Sequence, residues 1–240
     1  MYLSSSIILA AVIGFAQAQT PSGFTPQVNT KLDVLFNSTS VATPGQKLSK
    51  ASTATEPQIA IPSSMVSRNE TFMFVMLDLD VPPTQGNQTR RVLLHALNTG
   101  FKATQQKING TAVLLTSPEK GPAMYLPPGP PATDTVAHRY VQLLFKQPAD
   151  LQVAQSEFAD TQDRINFNIQ SFASENKLSA PIAANFFRVD GRDSASATGT
   201  ATGTGGIVQD TLVPFEGGAG QLAYSHGLAG LVGGLAFFAL

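Results

Sequence analysis

The sequence predicts an all-β domain, a β-sandwich of antiparallel sheets with one short helix near its C-terminal end. Three observations lead there. Seven runs of five to eleven residues, rich in β-branched and aromatic side chains, are separated by Gly, Pro and Asn. Helical signals are confined to one region, "LQVAQSEFADTQDRINFNIQSFASENKL" (151–178). Strands at short spacing with few helices favour a sandwich, to which Greek-key connections are suited, over an alternating α/β fold.

The elements follow in order. "KLDVLF" (31–36) and "PQIAI" (57–61) are strand-length runs between turn residues. "TFMFVMLDLD" (71–80) is apolar at odd and even positions alike through Leu77, so it is a central strand buried on both faces. Pro82 and Pro83 end it. "RRVLLHALN" (90–98) and "TAVLLT" (111–116) are the next strands. "YLPPGPP" (125–131) cannot be strand interior or mid-helix, because proline fixes φ and removes donors. It reads as a rigid loop delivering His138 to the rim of a sheet, where "HRYVQLLFKQP" (138–148) begins. A short helix is expected in "FNIQSFASENKL", from Phe167, and a last strand in "ANFFRV" (184–189).

Both ends read as processing signals. "SSSIILAAVIGFAQA" closes on Ala16-Gln17-Ala18, the small-residue pattern of a signal-peptidase site, so residues 1–18 are an expected signal peptide and Gln19 the mature N-terminus. The domain then covers 19–190. A Ser/Thr/Gly-rich linker over 191–216, containing "SASATGTATGTGG", has too little apolar surface to fold and suits O-glycosylation. In 217–240 a small-residue site at Gly217 or Gly218 (Ser196 being the second choice) precedes a polar spacer and the apolar tail "LAGLVGGLAFFAL". That order is a glycosylphosphatidylinositol-anchor signal, and a tail of 13 residues is too short to span a bilayer. Four sequons, at Asn37, Asn69, Asn87 and Asn109, suit the same compartment. The expected location is the cell surface, attached to plasma membrane or wall.

Composition excludes some chemistry. Without cysteine there are no disulfides and no thiolate. A net charge of −1 with both signs interspersed gives no basic stripe for nucleic acid. Asp78 and Asp80 are two apart at the end of a buried strand, hence expected on one face, where carboxylates need cationic or hydrogen-bonding partners. His95 lies in an apolar strand, and His138 and Tyr140 share a face, with Arg139 opposite. Asp78, Asp80, His95 and His138 are of types that suit zinc or manganese, but no compact ligand spacing is present. No Gly-x-Ser-x-Gly elbow is present, no serine stands beside either histidine, and "DTV" at Asp134 is not an aspartic-protease loop.

"LDLDVPP", "LLHALN" and "YLPPGPPATDTVAHRYVQLLFKQ", in this order, resemble the motifs of the phosphatidylethanolamine-binding protein family. "FNIQSFASENKLSAPIAANFFRV" is similar to that family's later helix, turn and last strand, so the resemblance runs from Gly23 to Asp190. It implies a β-sandwich with a small anion pocket at one end, lined by Asp78, Asp80, His95, Tyr125, Gly129, Pro130, His138 and Tyr140. Carboxylates beside the imidazoles would favour their protonated form. Leu79 and Ala96 depart from the family pattern, and "ATDTVAH" is one residue longer than its usual glycine-bearing linker.

The function expected is non-enzymatic binding of a small anion or phospholipid headgroup, with no catalytic residue, cofactor or metal. The alternative is inhibition of a secreted or vacuolar serine carboxypeptidase, a protease partner for which the resemblance implies an exposed N-terminal segment; "TPSGFTPQVNTKLDVLF" stands there. A metal-dependent hydrolase ranks third.

Overall fold

Strand β5 (Phe72–Val81) explains the architecture, because six consecutive side chains from Phe72 to Leu77 are buried. A strand apolar on both faces needs a layer on each side. The structure, a computed structural model, describes residues 17–193 apart from Arg68 and Asn109. The hydrophobic run of the expected signal peptide, nearly all of the linker, the anchor signal and the Asn109 sequon lie outside the described residues. Asn37, Asn69 and Asn87 are exposed.

Among the described residues the other strands are β1 (Asp33–Phe36), β2 (Thr39–Ser40), β3 (Gln46–Leu48), β4 (Gln58–Pro62), β6 (Arg91–Ile108), β7 (Ala112–Thr116), β8 (His138–Lys146) and β9 (Ala183–Val189). Their spatial order is β2-β1-β4-β7-β6-β5-β8-β9-β3. The fold is all-β with one minor helix. Strand β6 runs ten residues beyond the expected "RRVLLHALN": its first part pairs with β5 and its second, from Lys102, with β7. The changeover falls between Phe101 and Lys102, just after Gly100, whose φ of +75° favours glycine and where a Cβ would lie 2.8 Å from the Glu119 carboxylate.

The two halves of this curled sheet enclose one core. Val34, Phe36, Ile59, Ile61 and Leu115 come from one half, and Phe72, Phe74, Met76, Leu144 and Phe187 from the other. Met73, Val75, Leu77, Val141, Leu143 and Phe145 point outward from the β5–β8 half and are covered by Val28, Phe158, Ile169 and Phe172. Each such side chain contributes about 1.5–3 kcal/mol on full burial.

Pairing is antiparallel except at one edge, where β3 runs parallel to β9. Neither β2 nor β3 is foreshadowed in the sequence, being two and three residues long with no apolar alternation. Helix α1 (Ile169–Glu175) is shorter than the expected segment. Asn168 accepts from the backbone N–H groups of Gln170 and Ser171, capping it two residues in, and Lys177 at φ 54° closes it.

Candidate functional site

The ladder between β5 and β8 ends at Asp78 opposite Tyr140. Just past it, His138 donates from Nδ1 to Asp78 Oδ2 at 2.7 Å. The other oxygen of Asp78 accepts from the Asp80 backbone N–H at 2.8 Å. His138 is 1% exposed, and its second nitrogen, Nε2, faces Asp134 Oδ2 at 3.0 Å. A carboxylate on each ring nitrogen requires a proton on each. Burial pushes the His138 pKa down, but Asp78 and Asp134 outweigh it and the net direction is up. His138 is therefore held as an imidazolium.

Asp134 is the functional-site residue that sequence reasoning passed over. Its carboxylate also takes a two-pronged contact from Arg90, Nη1 to Oδ2 at 2.7 Å and Nη2 to Oδ1 at 2.8 Å. Its Oδ1 accepts the Val136 N–H at 3.0 Å, which shapes the loop after the prolines. The Arg90 contacts are the main cause of a carboxyl pKa well below the usual range. The available signal was an aspartate four residues ahead of a strand histidine; Arg90, 44 positions away, carried none.

Asp80 serves a different cation. Arg139 donates to it from Nε and Nη2, both at 2.8 Å, and from its backbone N–H at 2.9 Å. Asp78 and Asp80 are both buried, but Asp78 is paired with His138 and Asp80 with Arg139 rather than with a histidine. With β8 no longer paired beyond Asp78, and the β5–β6 register broken between Asp78 and Val81, Asp80 occupies the place of a backbone partner for Arg139. Burial raises the Asp80 pKa, and the Arg139 contacts outweigh that to lower it. Arg90 Nη1 additionally donates to the Asp80 carbonyl.

His95 differs from His138. Its Nδ1–H donates to the Leu126 carbonyl at 2.8 Å, while Nε2 has no partner and lies 3.9 Å from Asp78 Oδ2. Burial drives its pKa down, so the expectation of two protonated imidazoles holds for His138 and not for His95. The His95 ring meets Tyr140 edge-on, 5.1 Å between centroids, and Tyr140 stacks on Phe187 at 5.2 Å. The Tyr140 hydroxyl is buried and unpartnered, and burial holds it protonated as a donor. Tyr125 instead gives its hydroxyl to the Thr53 carbonyl at 2.7 Å.

The proline wall is seated on a glycine. A Cβ on Gly191 would lie 2.0 Å from the Pro131 carbonyl oxygen and 2.8 Å from that of Pro130, so only glycine allows the loop to close there. Pro130 is buried and Gly129 exposed. Arg90 reaches from this cluster to the wall of an open cleft of about 470 Å³, which Phe24, Leu79 and Asn168 also line. Among the described residues, no group of three or more His, Asp or Glu side chains could hold a metal ion.

The motifs that build this cluster belong to a recognised pattern. The family model for "Phosphatidylethanolamine-binding protein" matches residues 38–187. The chain belongs to the phosphatidylethanolamine-binding protein family. It is 30% identical over 200 residues to the phomoidride biosynthesis cluster protein N of Talaromyces stipitatus, covering 78% of this chain and 98% of that one. CEN-like protein 4 of Nicotiana tabacum is 28% identical, with 77% and 91% covered. Among solved structures, a carboxypeptidase Y inhibitor complexed with its cognate proteinase has the same fold, with TM-score 0.52 and 23% identity over 68% of this chain and 84% of that one.

Proposed function

We propose that this member of the phosphatidylethanolamine-binding family is a non-enzymatic binding protein that holds a small anion, such as a phosphate or phospholipid headgroup, on His138. The observation that carries the reading is the carboxylate on His138 Nε2. Asp78 orients and charges the ring from behind, and the front nitrogen faces an anionic group, here supplied by the chain itself. Tyr140 has an unused hydroxyl beside it. A ring whose two nitrogens both face carboxylates has no free lone pair with which to act as a general base, which supports binding over catalysis.

Calorimetric titration of the full chain with phosphate, phosphoethanolamine and acetate across pH tests this. Binding should strengthen as pH falls through the His138 transition. His138→Ala should weaken phosphate binding roughly ten- to hundredfold, the loss of one charge-assisted hydrogen bond. No phosphate binding at any pH, or binding indifferent to His138, would overturn the reading.

Inhibition of a serine carboxypeptidase is the second reading, supported by the fold likeness to the carboxypeptidase Y inhibitor. Against it, the N-terminal segment is pinned to the domain at several points, with Ser22, Gly23, Thr25, Gln27 and Asn29 exposed between them. Gln19, Thr20, Val28 and Leu32 are buried, and Leu32 N–H donates to the Ala184 carbonyl. A carboxypeptidase assay with the purified chain separates the two. The cell-surface location rests on the end sequences alone: release from membranes by a phospholipase C specific for inositol-linked anchors supports it, and tail residues retained in the mature protein refute it.

A further inference from the structure

Asp134 occupies the position that an external anion would need. Its carboxylate touches His138 Nε2 at 3.0 Å and both terminal nitrogens of Arg90 at 2.7 and 2.8 Å, on a loop whose start is fixed by the prolines and Gly191. It is 9% exposed, and His138 beneath it is 1% exposed. The cluster is electrically closed: Asp78 and Asp134 face His138, Arg90 faces Asp134, and Asp80 faces Arg139. Of the other titratable side chains beside Asp78, His95 at 3.9 Å has its pKa lowered by burial, and Tyr140 is held protonated by burial.

Resting on the reading of His138 as an anion site, we propose that Asp134 is a tethered competitor that keeps the site shut, and that a phosphate group binds by displacing it and taking over both His138 and Arg90. The geometry suits that exchange. The Asp134 carboxylate presents two oxygens, Oδ2 shared by His138 and Arg90 and Oδ1 facing Arg90, and two oxygens of a phosphate can meet the same donors. Arg90 is 28% exposed, so an incoming group meets its guanidinium from solvent. A weaker single anion without a second oxygen for Arg90 cannot replace what it removes.

The strength follows from the tether. One charge-assisted hydrogen bond of ordinary strength holds the open fraction below about a tenth, and apparent affinity falls by that fraction. Asp134→Asn keeps an oxygen for the Val136 N–H and removes the charge, while Asp134→Ala removes the group.

Inorganic phosphate and glycerophosphoethanolamine, titrated separately at a pH below the measured His138 titration of each variant that keeps the ring, distinguish free phosphate from a lipid headgroup. For at least one of them, both substitutions should tighten binding at least about tenfold, and adding His138→Ala should abolish the gain. Equal affinity in wild type and both variants refutes the competitor while leaving the anion site standing. No binding of either probe by any variant refutes the site and the competitor together. An independent readout is the His138 ring titration by NMR, which Asp134→Asn should shift to lower pH. An unmoved titration refutes the contact whatever the ligand results.

Discussion

Replacing Arg139 with alanine removes the guanidinium and leaves the Asp80 carboxylate, whose side chain is 4% exposed, with one backbone N–H. Breaking a buried ion pair costs about 3–5 kcal/mol because the remaining charge is stranded. The Arg139 side chain is 38% exposed, so water reaches the gap and part of that loss is recovered. A destabilisation of about 2–3 kcal/mol is expected. At about 2–4 °C per kcal/mol for a domain of this size, the melting temperature should fall by about 4–12 °C at neutral pH. The sign with pH is fixed by Asp80, whose pKa in the fold is depressed. Its contribution is present above the ordinary aspartate value of about 3.9 and is lost as pH falls through the folded-state value. Calorimetric melts should therefore show wild type and variant furthest apart near neutrality and converging as pH falls below the ordinary aspartate value of about 3.9. An unchanged melting temperature, or a gap of equal size at both ends, would refute the assignment of Arg139 to the fold.

The His138 pKa is raised, with Asp78 and Asp134 facing it, so the stability it contributes is full below the ordinary histidine value of about 6.5 and is lost as pH rises through the folded value. Denaturant midpoints should fall from mildly acidic to alkaline pH, and His138→Gln should flatten that slope. Gly191→Ala forces a methyl into the Pro131 carbonyl, and a loss of about 1–3 kcal/mol or more is expected, read from the same denaturant curves. A neutral result would mean that the Gly-Pro-Pro loop is not seated there.

How much was legible in the sequence depended on how local the cause was. Burial of β5 on both faces showed as an unbroken apolar run, and the rigid loop ahead of His138 showed as prolines, because both effects act within a few residues. Arg139 could be assigned to the opposite face from His138 by strand periodicity alone. Periodicity did not give the partner of Asp80, because the ladder between β5 and β8 ends at Asp78. The β3 edge and the Arg90–Asp134 pair were invisible for another reason. Each depends on segments brought together by the rest of the fold, Gln46–Leu48 with Phe187–Val189 and Arg90 with Asp134, and no local pattern marks the pairing.

Charge balance decides how the site can work. Asp78, Asp80 and Asp134 face His138, Arg139 and Arg90, three carboxylates against three cations in and around a buried pocket. An anion added to that set would leave one negative charge uncompensated in a low-dielectric setting, where such a charge costs several kcal/mol. Displacing Asp134 toward water avoids the excess, since the incoming group inherits Arg90 and His138 together. Arg139 cannot play that part, because releasing Asp80 would strand a carboxylate that has no exposed position to move to. The same arithmetic explains why two aspartates two residues apart must be treated separately. Asp78 charges the imidazole and stays in place whether the site is empty or filled, and Asp80 holds the strand end. In the proposed exchange, the carboxylate that moves is the one carried on a loop.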